Sequence, residues 1–175
     1  MGNLICTIIS MILMVVFNII CIKKYGLLSC FSAYGSKWAE WEKEHPATKG
    51  INIWSLITIV SAALLIPPMI STAVGNPLQF LCFFAPLYLF LVGLTPNYQE
   101  TKKANIIHQI GAWGCVTMIL LWLFLIVKKW VIILPIFTLA LVIGFGTRTM
   151  KQSVTYYLEM AMYLSTYLVL ITMFI

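Results

Sequence analysis

Six apolar runs, at residues 3–22, 52–72, 79–95, 106–127, 130–147 and 153–175, fill most of this 175-residue chain. A helix needs ~20 apolar residues to cross a bilayer core of about 30 Å. Inside hydrocarbon every backbone polar group must pair within the protein, and a helix does this within its own segment. The pattern therefore predicts an all-α fold, an integral membrane bundle of six transmembrane helices. The connections are short except one, so residues 1–175 read as a single transmembrane domain. Pro67-Pro68, Pro86 and Pro135 fall inside runs, where neighbouring helices can satisfy the freed carbonyls.

Composition excludes the soluble alternative. Only 9% of residues are charged and 62% are apolar, whereas a soluble domain carries roughly 25% charged residues. The net charge of +6 does not mark a nucleic-acid interface, because the basic residues lie in short pieces between apolar runs. Such pieces anchor helices at an anionic membrane surface. The five cysteines (Cys6, Cys21, Cys30, Cys82, Cys115) are scattered singly, which suits small packing residues and not a disulfide framework. Lys23-Lys24 follows the first run instead of preceding it, so the run reads as a retained helix and not a cleaved signal. Met1-Gly2-Asn3-Leu4-Ile5-Cys6 lacks the Ser/Thr that myristoylation requires.

Orientation follows from the basic residues. With the N-terminus outside, the inner loops hold Lys23, Lys24, Lys37, Lys43, Lys49, Lys102, Lys103, Arg148 and Lys151, and the outer loops hold only Lys128 and Lys129. Both termini are therefore expected outside.

The long connection, 23–51, carries an expected interfacial segment at 25–45 between the first and second spans. Leu27, Phe31, Tyr34, Trp38 and Trp41 recur at steps of four, three, four and three, which is one helical face. Lys37, Glu40, Lys43 and Glu44 fall largely on the other side. Trp and Tyr beside lysines read as an amphipathic helix at the inner interface, an anchor or a lid over a cavity.

Ionisable groups inside apolar runs mark candidate sites, since they are costly in hydrocarbon and seldom left unpaired. Glu159 is the one acid within such a run. Gln152, Thr155, Tyr156, Tyr163 and Thr166 share its helical face. On the fourth run, Asn105, His108, Ala112 and Cys115 form a second small and polar stripe beginning at the same membrane side. If those helices are neighbours, His108 and Glu159 can approach and exchange a proton near neutral pH. The turn Pro96-Asn97-Tyr98-Gln99-Glu100 adds Asn97 and Glu100 at the inner mouth. The candidate ligand-binding set is thus Asn97, Glu100, Asn105, His108 and Glu159, with His108 and Glu159 as candidate catalytic groups.

Other chemistry lacks its residues. There is no phosphate-binding G-x-x-x-x-G-K-[ST] loop and no G-x-S-x-G elbow. Two histidines and no aspartate leave a metal site short of ligands, so neither metal nor cofactor is expected.

Three short segments carry a family likeness: Tyr25-Gly26 with Cys30-Phe31-Ser32, Val92-Gly93-Leu94-Thr95-Pro96-Asn97-Tyr98, and His108-Gln109-Ile110-Gly111-Ala112. Residues 25–112 resemble a family of small bacterial and phage-borne polytopic membrane proteins. That family has a Y-G-x-x-x-S-x-S loop, a V-G-x-x-P-x-[FY] turn and a V-H-x-x-G-A helix start. This chain departs from it with Cys30 at the first loop serine and Ile107 before the histidine. The resemblance implies the same topology and a bacterial inner membrane, and it points to His108 without implying a reaction. The leading expectation is a protein that binds or translocates a small hydrophobic ligand or lipid through a cavity open to the cytoplasmic side. The alternatives are an intramembrane acid/base enzyme (isomerase or lipid-modifying) and a non-catalytic partner subunit or membrane-perturbing phage-type protein. No oligomeric state follows from the residues.

Overall fold

The computed structural model describes residues 1–45, 52–146 and 154–175. Lys49, Arg148, Lys151 and Gln152, used in the sequence reading, lie outside the described residues. All regular structure among the described residues is helical: α1 (Gly2–Tyr25), α2 (Ala33–Glu44), α3 (Ile53–Ser71), α4 (Phe80–Leu94), α5 (Lys102–Leu121), α6 (Trp130–Gly146) and α7 (Val154–Phe174). A π-helical segment, Trp122–Val127, prolongs α5.

Four helices are long and apolar enough to cross a membrane: α1, α3, α5 with its π-helical extension, and α7. The helices α4 and α6 are apolar but have only 15 and 17 residues. At 1.5 Å per residue they reach about 23 and 26 Å, short of a 30 Å core. Turn chemistry trims α4, since Asn76-Pro77 precedes it and Pro96 follows it. Lys128, in the left-handed region at φ 55°, closes the turn before α6.

Local capping sets the other boundaries. Thr101 Oγ1 accepts the Ala104 N–H at 3.1 Å, so α5 begins four residues before the expected start at 106. Asn52 Oδ1 does the same for α3, accepting from Ser55 N–H at 2.9 Å. Both are residue types that favour the position ahead of a helix because a side-chain oxygen can satisfy an orphan N–H there. Lys23 and Lys24 fall in the last turn of α1, which stops at Gly26 with φ 73°.

Packing runs α1 on α3, α3 on α4, α4 on α5, α1 on α7 and α6 on α7, with a lighter contact of α5 on α7 closing the bundle. The α4–α5 pair is the most intimate. A Cβ on Gly111 would stand 2.9 Å from the Tyr88 carbonyl oxygen and 3.0 Å from the Val92 nitrogen, so the absence of a side chain sets how close these backbones lie. Polar bonds stitch α1 to its neighbours. Ser10 Oγ donates to the Ser61 carbonyl at 3.0 Å and lies 2.9 Å from the Tyr167 hydroxyl. The Asn18 amide pairs with the Tyr156 hydroxyl, at 2.6 Å from Nδ2 and 2.9 Å from Oδ1.

Of the expected segment 25–45 only Ala33–Glu44 is helical, and its aromatic side, continued by Phe31 ahead of it, faces the protein. Phe31, Tyr34 and Trp38 are buried and Trp41 is half-buried, while Leu27 is exposed. Gly35 rests on the Trp54 indole, where a Cβ would approach to 2.9 Å. Aromatic surface of this size gains more from packing on α1 and α3 than the polar face could. Lys24 Nζ sits 4.0 Å from the Trp38 ring and 3.9 Å from the Trp41 ring, tying α2 back to the end of α1.

Candidate functional site

Glu159 lies on the second turn of α7, half-buried. Its Oε2 accepts the backbone N–H of Phe31 at 2.6 Å, and one turn earlier on α7 the Tyr156 N–H donates to the Ser29 carbonyl at 3.1 Å. These two bonds pin the non-helical segment 29–31 across the start of α7. The segment cannot pair with itself in a helix, because Gly26 turns the chain and α2 begins only at Ala33. Glu159 supplies the acceptor that the buried Phe31 amide requires.

Two spaces meet at this carboxylate. Towards the bundle core is a cavity of about 30 Å³, lined by Phe31, Ser32, Cys115, Glu159 and Tyr163 among others, room for about one water. Towards the bundle surface, between α5, α6 and α7, is a groove of about 400 Å³. Its polar end holds Cys30, Thr155 and Glu159, and its walls are Ala112, Trp113, Val116, Leu120, Phe137, Leu158 and Met162. The polar end lies at the α2 end of the bundle, where Ser29 meets Tyr156 and Ser36 meets the Pro96 carbonyl. Leu120 is twelve residues beyond His108 on α5, about 18 Å further along. Phe137 is seven residues from Gly144, which abuts Val154 at the start of α7. The groove thus runs from a polar mouth into an apolar interior, and Trp113, 71% exposed, forms its rim.

His108 does not bond to Glu159. It is buried at 4% exposure, its Nδ1 lies 3.1 Å from Thr95 Oγ1, and its ring stacks on Tyr98 at a centroid distance of 4.0 Å. Its Nε2 has no partner among the described residues. The conspicuous residues of two motif segments are thereby explained in structural terms. Thr95 and Tyr98 hold His108, and Gly111 lets α5 lie against Val92. Glu100 is exposed and forms an ion pair with Lys43, joining the 95–101 turn to α2. Asn105 Oδ1 accepts from Gln109 Nε2 on its own helix at 3.1 Å. Asn97 is half-buried in the turn, with its carbonyl accepting the Glu100 N–H at 3.0 Å. Of the five residues expected to converge on a ligand, Glu159 alone lines the groove; the side chains of Glu100, Asn105 and His108 have local partners, and Asn97 bonds through its main chain.

The polar stripe around Glu159 divides in the same way. Tyr156 is buried and turned to Asn18 of α1, and Thr166 Oγ1 donates to the Met162 carbonyl at 2.8 Å. Thr155 and Glu159 face the groove. Outside the spans, burial pushes the Glu42 carboxyl above its usual pKa, opposed by hydrogen bonds from the Ile53 N–H at 3.3 Å and from the Asn52 side chain. Burial likewise raises the Tyr34 hydroxyl, which donates to the Gly26 carbonyl at 2.9 Å.

Sequence reasoning missed the groove walls, because Trp113, Val116, Leu120 and Phe137 are indistinguishable in sequence from lipid-facing residues. Cys30 carried a signal only through its place in the loop. Among the described residues no group of three or more His, Cys, Asp or Glu stands where a metal ion would need it. No protein-family model, no curated protein and no solved structure matches this chain.

Proposed function

We propose that this chain is an integral membrane protein that binds a small amphiphilic molecule in the groove between α5, α6 and α7, with Glu159 at the molecule's polar end. One observation carries the reading: a carboxylate stands at the polar mouth of a largely apolar groove of about 400 Å³. Ligand sites are concave, mostly apolar and fixed by a few polar groups, with volumes of roughly 300–1,000 Å³. The six apolar helices are read as spans, the shorter α4 and α6 being matched by local thinning of the bilayer. The excess of basic residues on one side puts both termini outside and the polar mouth at the cytoplasmic face. The family likeness of residues 25–112 supports a bacterial inner membrane. In that frame an amphiphile of the cytoplasmic leaflet enters sideways past Trp113, head towards Glu159 and tail towards Leu120 and Phe137. The acid/base reading has less support, because Glu159 bonds to Phe31 and His108 to Thr95.

The test is native mass spectrometry of the detergent-purified chain, wild type beside Val116→Trp. Val116 lines the groove, and an indole there fills it. The wild type should retain a small hydrophobic adduct that Val116→Trp loses. A wild type without adduct, or an adduct equally retained by the variant, overturns the reading.

A further inference from the structure

We infer that the head of the bound molecule is a protonated amine. This deepens the groove reading above and rests on it. The argument is one of charge complementarity. An ionised carboxylate offers about four acceptor positions, and Glu159 uses one of them for the Phe31 N–H. No described lysine, arginine or histidine lines the groove. The two ion pairs among the described residues, Lys37–Glu40 and Lys43–Glu100, lie on α2 and its neighbouring turn.

A carboxylate walled by Ala112, Val116, Leu158 and Met162 is stable when something brings it a cation, since buried charges are paired. The other polar groups at the mouth, the Thr155 hydroxyl and Cys30 thiol, can also accept a hydrogen bond. An ammonium head supplies donors and no acceptor, which matches this set. A phosphate or carboxylate head would set like charges together at the mouth. A neutral alcohol would find a hydrogen bond but bring no charge to balance the carboxylate, and no described residue of the groove brings one either.

The experiment measures quenching of Trp113, which forms the rim. The probes are 12-bromododecylamine, 12-bromododecanol and 12-bromododecanoate, added to the full chain in detergent. The Trp113 signal is isolated by subtracting the Trp113→Phe variant. The amine should quench at a concentration about tenfold or more below the alcohol, as a charge-assisted bond predicts, and the carboxylate should be the weakest. Glu159→Gln keeps an acceptor for Phe31 while removing the charge, so it should abolish the amine's advantage and leave the alcohol unchanged. Equal quenching by amine and alcohol, or an advantage that survives Glu159→Gln, overturns the amine and leaves the groove standing. If no probe produces Trp113-dependent quenching, the groove reading falls with it.

Discussion

Replacing Glu159 separates its role as an acceptor from its charge. Leucine at 159 leaves the Phe31 N–H, on a residue only 3% exposed, without its partner. A hydrogen bond to a charged group contributes about 1.5–3 kcal/mol, and an orphaned buried donor costs about 1–3 kcal/mol. Glutamine retains a carbonyl acceptor and forfeits only the charged increment, about 1 kcal/mol. The global unfolding midpoint is a poor reporter, because leucine also removes the cost of burying a carboxylate and the two effects oppose each other. Hydrogen exchange at the Phe31 amide reads the local bond instead. With tenfold for each 1.4 kcal/mol, exchange in a peptide covering 27–34 should quicken about 5- to 150-fold in Glu159→Leu and about fivefold or less in Glu159→Gln. Segment 29–31 keeps its second tie, Ser29 to Tyr156, so the change should stay local. Unaltered exchange in Glu159→Leu, or glutamine as fast as leucine, would refute the view that this carboxylate holds the loop.

Three further outcomes are expected. Gly111→Ala should lower the thermal midpoint in detergent: a Cβ 2.9–3.0 Å from the Tyr88 and Val92 backbone atoms calls for the upper part of the overpacking range, about 2–3 kcal/mol, which outweighs about 1 kcal/mol of helix propensity; an unchanged midpoint would show that α4 and α5 move apart enough to admit a methyl group. His108→Ala should destabilise by about 1–3 kcal/mol through the lost Tyr98 stack and Thr95 bond, yet leave the quenching of Trp113 unchanged, and altered quenching would return His108 to the ligand site. Burial raises the Glu42 carboxyl in the folded chain, so folding takes up a proton and stability falls as pH rises from about 4 through the raised pKa; Glu42→Gln should flatten that stretch of the midpoint-against-pH curve, and an identical slope would remove Glu42 as its source.

The helical, membrane-suited character of the chain was legible in the sequence because it depends on run length and composition, which are local. The apolar runs at 130–147 and 153–175 contain α6 (Trp130–Gly146) and α7 (Val154–Phe174), whose facing ends lie at the limit of the described residues. The start of α5 was misplaced although Thr101 announced it, because the apolar pattern was followed in preference to the cap. The α2 stripe was recognised as a face, but its partner was not. Amphipathicity says that Phe31, Tyr34 and Trp38 share a side, and the same spacing suits a lipid surface or the wall of a bundle.

Glu159 stood out from sequence alone, since a lone acid in an apolar run is expensive wherever it points. Its environment belonged to the tertiary structure. Whether α5 and α7 present His108 or Ala112 and Cys115 to the carboxylate depends on helix adjacency and depth. Those are set by close approaches such as Gly111 on the Val92 backbone and by Thr95 claiming His108. Sequence periodicity assigns residues to faces; which faces meet is decided only when all the helices compete for contact at once.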